Sequence, residues 1–550
     1  MSVKIIEKIG DVKIFGNGAL GGKGAGLVKI NESKIPKTHK LRTRVLTTAF
    51  FDRFLKHGKK FEYEELTPIA EILNKLGDIP ISVRSSATNE ACISPEGEVS
   101  VHAGENTSFM LPNNHPNFQI RLEQLKQAIY HIYNDFIHKQ APDCHEKMAI
   151  VINPIPGFFD NSAVGPIYYP LISGVANSFF PYALKSQDPD EGFARIACGH
   201  GYATVLDDFP VISMATIKRP IPVRFLGEGQ MYFYAINMLK NESLAGEELE
   251  TMKKLHIKFT NLNYSKFLGI DKNRITLESL IQKDRFGFKS SLIEIMEMIS
   301  SKISSHFQIE FVFNIDLTKT GIEQGIFHVV QLTQLPEQKF ETIKIPENAK
   351  HTYLSINNLQ GHGIKQDIKF AVVVSPFIYT KEKHGAVRNK INLINQKMRE
   401  QNENYIVIVP GRVGSTNRDW GIQLDFREID AATAIFEYGV DIAGRPEPLA
   451  EPDDLTGGIY GSHFLYMIQG GKNEQEKKLK TRMYGTQGTH FLTNLVSNNI
   501  IYGYIMPNHD LLDPWFFSPP GTDDAVYALS FPKAVTIYAD SINQHCVVIC

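Results

Sequence analysis

Apolar residues in this chain come in short runs of strand length, and each run ends in polar, charged or glycine-rich sequence. ISV leads into RSSA at 81–87, MAIVINPI fills 148–155, IEFVF lies at 309–313, GIFHVVQL at 325–332 and AVTIYA at 534–539. Other stretches carry helical spacing: residues 60–76, residues 117–139 with Ile120, Leu125, Ile129 and Ile132, and a charged region at 240–306 that reads as mostly helical. Strands and amphipathic helices interleaved in this way bury their apolar sides in layers, so the expected fold class is α/β (α+β).

The chain is 550 residues long, too long for one ordinary core at about 100–200 residues per domain. Residues 336–351, PEQKFETIKIPENAKH, lack apolar periodicity and hold two prolines, so they read as an interdomain linker. A hydrophobic content of 43% with 21% charged residues fits a soluble globular protein. The formal charge of -2 offers no basic excess for nucleic acid or acidic lipid. Any phosphate recognition must therefore be local, and neither nucleic acid nor membrane is an expected partner. The five cysteines (Cys92, Cys144, Cys198, Cys546 and Cys550) are scattered, without zinc-site or disulfide-framework spacing. The start, MSVKIIEKIG, is too interrupted by charge for a secretory signal. No apolar run approaches the roughly 18 residues that span a bilayer. A cytoplasmic protein is the expectation.

Three polar elements precede residue 336. GGKGAGL (21–27) reads as a glycine-rich loop before a helix. Gly21, Gly22 and Gly24 would let backbone N–H groups approach an anion, and Lys23 adds a point charge. VRSSATNE (83–90) puts the Arg84 fork beside Ser85, Ser86 and Thr88 at the end of an apolar strand, a combination suited to bidentate phosphate recognition. Plain turn structure or a surface arginine is the alternative for each. If IEFVF and GIFHVVQL form a hairpin, alternation places Glu310 and Gln331 on one face, where a carboxylate and an amide oxygen could hold Mg²⁺.

Taken in order, GGKGAGL, VRSSATNE, HAGENTSF (102–109), IEF and VVQLTQLP resemble the N-terminal ATP-binding domain of the pyruvate phosphate dikinase and phosphoenolpyruvate synthase family, an ATP-grasp relative. DEGFARIACGHGYATVLDD (190–208) is similar to a further segment of that family. The resemblance implies a split ATP-grasp-like domain with one lobe at 1–110 and a second at 111–336, a linker at 337–351 and a mixed α/β domain at 352–550. It implies ATP as cofactor with Mg²⁺, phosphate contacts from Lys23 and Arg84, Mg²⁺ on Glu310 and Gln331, and Gly104 in the nucleotide site. The glycine loop would act as a lid. The activity implied is phosphoryl or pyrophosphoryl transfer to an unidentified acceptor, small molecule or protein.

Departures from the family pattern are specific. Gln308 stands where the family has an acidic residue, the arginine that follows its LQ pair is missing after Gln331, and Asn153 replaces a glutamine. These changes also fit a nucleotide-binding regulatory or interaction protein that no longer turns over. Beyond the linker, TGGIYGSHFLYMIQGG (456–471) is similar to the family's phosphohistidine loop, off by one in spacing. His463, and His490 in the GTHF echo at 488–491, are therefore candidate phosphate acceptors. VPGRVGSTNRDWGIQLDF (409–426) and YGTQGTHFLTNLVSNNIIYGY (484–504) resemble a C-terminal module of longer bacterial proteins. Arg412, Ser415, Thr416, Arg418 and Asp419 form a polar loop there, suited to an anionic or polar ligand or to a simple turn.

Overall fold

The computed structural model describes residues 5–90, 92–93, 99–100, 106–139, 145–179, 189–205, 209, 211–218, 220, 229–239, 249–261, 274–315, 325–335, 342–346, 350–357, 359–376, 378–411, 413, 422–438, 495, 498, 500–505, 510–516, 525–543 and 545–550. The chain is mixed α/β and forms two compact units. One is built from Met1–Phe180, Pro189–Thr204 and Phe209–Pro336, the other on Glu337–Cys550.

The first unit is organised on two large sheets. One has six strands in the spatial order Ile5–Ile9, Val12–Phe15, Arg44–Leu46, Met148–Pro154, Ile81–Ala87 and Ser108–Leu111. Alternation along Ile81–Ala87 decides its two faces. Ile81, Val83 and Ala87 join Ile150 and Ile152 in a core with helices Thr48–Lys56, Tyr63–Leu76 and Phe118–Lys139, through Phe50, Phe54, Ile72, Ile129 and Tyr133. Ser82, Arg84 and Ser86 are thereby left on the opposite face, where Val45 and Val151 pack on Leu27 of helix Gly21–Glu32. The second sheet has five antiparallel strands, Ile212–Ala215, Phe193–Cys198, Ile172–Asn177, Phe307–Asn314 and Ile326–Gln334. Helix Phe288–Ser300 packs onto it through Phe288, Leu292, Ile295 and Ile299.

Two expectations need correction. The six-stranded sheet takes in Met148–Pro154, so its boundary does not fall at residue 110; that strand must lie between Arg44–Leu46 and Ile81–Ala87 to complete both ladders. Within 240–306, residues Met252–His256 form a strand rather than a helix, paired with Tyr232–Asn237 at the edge of a four-stranded sheet. Its exposed Lys253 and Lys254 are what an edge strand carries to discourage further pairing, and their charge had suggested a solvated helix.

The second unit holds a nine-stranded sheet. Its centre is parallel, running Ile501–Ile505, Ala432–Tyr438, Tyr405–Pro410 and Gly363–Val374, and helix His384–Glu400 makes the crossover between the last two. Tyr405–Pro410, buried along its whole length, reads accordingly as a continuous apolar run. Among the described residues no helix is long and apolar enough to cross a membrane.

Candidate functional site

The glycine-rich segment is a helix, not a loop. Helix Gly21–Glu32 begins at the first glycine, and its glycines allow close packing between two sheets. Gly21 sits at φ +66°, and a Cβ there would collide with the Ser86 carbonyl; at Gly26 a Cβ would collide with the Leu332 carbonyl oxygen. The Ser86 hydroxyl donates to the Leu20 carbonyl (2.9 Å) and accepts the Gly24 N–H (3.1 Å), so one of the first-turn amides is already satisfied. The expected lid is therefore absent at 21–27. Four glycines argue against a helix locally, and packing overrides that preference.

Burial of this helix carries Lys23 inside the protein, 6% exposed, where its ammonium pairs with the Glu90 carboxylate. Burial depresses the Lys23 pKa, Glu90 opposes that shift, and the Arg84 charge adds to it. Arg84 leaves the first sheet and meets the second. Its Nη2 donates to Glu310 Oε2 at 2.7 Å and to Gln331 Oε1 at 2.6 Å. The two strands pair as the expected hairpin, and Glu310 and Gln331 lie directly opposite each other. The register shifts just beyond Glu310, where Phe311 pairs with Val329, so the facing pair sits at a β-bulge. Two paired strands far along the chain thus converge on one guanidinium group, with side chains of Arg84 and Glu310 only 11% and 17% exposed.

The remaining predicted residues divide clearly. Ser85 lies on the helix-covered face and donates to the Asn106 carbonyl (3.4 Å). Thr88 bonds Glu146 and accepts the Lys147 N–H (3.0 Å), fastening the loop to the start of strand Met148–Pro154. These hydroxyls, like that of Ser86, are engaged in the scaffold. Gly22 is buried in the first helical turn. Gly104, His463, His490, Arg412, Ser415, Thr416, Arg418 and Asp419 lie outside the described residues.

Two site residues escaped sequence reasoning. Glu90 closes the VRSSATNE run, and that position was its only signal. His200, in the GHG turn after strand Phe193–Cys198, is depressed to about 4 by burial and then by the Arg84 charge, with Glu310 opposing. Its Nδ1 accepts the Tyr202 N–H (3.3 Å), which fixes the neutral ring with its proton on Nε2. Asn153, in register with Ser82 on the Arg84 face, is 1% exposed, and neither end of its amide has a partner among the described residues.

The donor set suits a hard cation. Glu310 and Gln331 already direct a carboxylate and an amide oxygen at one positive group, and Mg²⁺ takes such oxygens while keeping waters or phosphate oxygens for its other positions. Among the described residues no cluster of three or more His, Cys, Asp or Glu could hold a metal alone. A cavity lined by Lys29, Ser33, Ile299, Lys302 and Gln334 opens toward the far end of the same helix and contains none of the convergent residues. Comparison of the chain with protein-family models gives no match, and comparison with curated proteins gives none.

Proposed function

We propose that the unit Met1–Pro336 is a split, ATP-grasp-like module that binds ATP with Mg²⁺ and transfers a phosphoryl or pyrophosphoryl group to an unidentified acceptor. The observation that carries this reading is the convergence of Arg84, Glu310 and Gln331 from strands 226 and 247 residues apart, with Lys23 buried beside them. Phosphoryl transfer asks a protein mainly for positioning and for neutralisation of charge on the phosphate oxygens. Lys23 and Arg84 supply the cations, and Glu310 with Gln331 would hold Mg²⁺. Held there, such an ion would supply positive charge to neutralise the phosphate oxygens. Asn153 adds support: a buried amide with donor and acceptor both unpaired complements one edge of a purine base.

A second reading has its own observation. Gln308 donates to Asn177 (3.0 Å) and Gln331 donates to the Thr333 hydroxyl (3.1 Å), so neutral groups bonded to neighbours stand where the resembled family carries charge. That favours a nucleotide-binding regulatory module without turnover. Incubation with ATP and Mg²⁺, resolving AMP, ADP, phosphate and pyrophosphate, separates the two. AMP marks pyrophosphoryl or dikinase chemistry and ADP simple transfer, whereas bound ATP with no product over a panel of acceptors favours the regulatory module. Where turnover is found, Glu310→Gln keeps an oxygen for Arg84 but removes the charge, and should lower the rate roughly a hundredfold or more. A loss of only a few-fold would refute this metal placement.

A further inference from the structure

Both cations of the site are already matched by carboxylates of the protein itself. Lys23 pairs with Glu90, whose side chain is 2% exposed, and Arg84 pairs with Glu310. Lys23, Arg84, Glu90 and Glu310 therefore sum to zero formal charge inside a largely buried cluster. A polyphosphate entering such a cluster gains no net attraction from it. It must take Lys23 away from Glu90, and the buried carboxylate then lies beside the incoming anion without the ammonium that neutralised it. The same holds on the other side, because the oxygens that grip Arg84 belong to Glu310 and Gln331, the residues that would bind a divalent cation.

Resting on the functional reading above, we propose that Glu90 is an internal counter-ion that occupies Lys23 in the resting site and competes with the polyphosphate, so that the anion is admitted only together with a divalent cation. A cation on Glu310 and Gln331 repels the Arg84 guanidinium and frees it for phosphate. The added positive charge also offsets Glu90 once Lys23 turns to the ligand. Metal and polyphosphate thus each strengthen binding of the other, and reciprocity of linkage requires the two effects to be equal. Glu90 sets how strong that coupling is, without touching either ligand.

Calorimetric titration of the full-length protein tests this, using ATP in excess EDTA, ATP with Mg²⁺, and inorganic tripolyphosphate without metal. Wild type should bind ATP with Mg²⁺ at least roughly tenfold more tightly than ATP in EDTA, within the usual range for coupled sites. Glu90→Gln should raise affinity for metal-free ATP and for tripolyphosphate by a similar factor, and narrow the gap between the two forms of ATP. Circular dichroism melts check the fold of that variant. If it is unfolded, Glu90→Asp, which keeps the charge but withdraws it by one methylene, should show the same change in smaller measure. Unchanged affinity for metal-free ATP in the folded variant, or equal binding with and without Mg²⁺ in wild type, overturns the counter-ion role while leaving the nucleotide site standing. Absence of binding by all three ligands overturns the functional reading and this inference together.

Discussion

Among single residues, His200 gives the clearest solution signature. Its backbone N–H donates to the Tyr234 carbonyl (2.8 Å) and its ring meets Tyr202 edge to face, so the imidazole is held in place. Burial and the Arg84 charge keep its pKa near about 4, against an ordinary value of 6.5. Between those two values the unfolded chain binds the proton and the folded protein does not, so unfolding takes up protons and stability rises with pH. The contribution is complete above about pH 6.5 and is lost as pH falls toward about 4. Its size is at most about 3 kcal/mol. Urea titrations between pH 4 and 7.5 should show a shallower slope in His200→Gln than in wild type. Parallel slopes would mean that His200 titrates normally. Its place in DEGFARIACGHGYATVLDD (190–208) was its only signal in the sequence, since its perturbation comes first from burial in the fold and then from Arg84 on another sheet. The alternation of IEFVF and GIFHVVQL suggested a shared face for Glu310 and Gln331 if a hairpin formed, whereas their direct pairing depends on the β-bulge beside Glu310, which the sequence did not mark.

At the scale of elements, helix Gly21–Glu32 shows where local reading fails. Glycine is the poorest helix former after proline, so GGKGAG looks like a loop. The segment is helical because its glycines allow approach to the Ser86 and Leu332 carbonyls, and that information resides in strands far along the chain. Gly26→Ala adds helix propensity worth up to about 1 kcal/mol, yet its methyl meets backbone that cannot yield. The variant should lose about 2 kcal/mol or more as the helix is pushed from its seat. Gly385, in helix His384–Glu400, is the control: a Cβ there meets nothing within 4 Å. Gly385→Ala should stabilise by roughly 0.5–1 kcal/mol. Denaturant midpoints of the two variants should therefore move in opposite directions. A Gly26→Ala protein as stable as wild type would show that the helix does not pack this closely. The charged strand Met252–His256 is a similar failure, because lysines on an edge strand and lysines on a solvated helix look alike without a partner strand to set the period.

For the molecule as a whole, the decisive fact is that Lys23, Arg84, Glu90, His200, Glu310 and Gln331 all belong to the first compact unit. That unit has its own large cores, one under the six-stranded sheet and one under the five-stranded sheet, and the compact boundary falls after Pro336. The pairing of Lys23 with Glu90 and of Arg84 with Glu310 was not legible in the sequence, because charge pairing depends on which side chains the fold brings within reach. A segment with its own core and a complete constellation should fold and bind alone. A protein ending at residue 336 is therefore expected to melt cooperatively and to bind ATP with Mg²⁺ within a few-fold of the full chain, by circular dichroism and calorimetry. A cooperative melt without binding would count against a nucleotide site formed by Lys23 and Arg84 within this unit. Failure to melt cooperatively would mean that the first unit draws its stability from the rest of the chain. Full affinity would mean that residues 337–550 are not needed for ATP to bind.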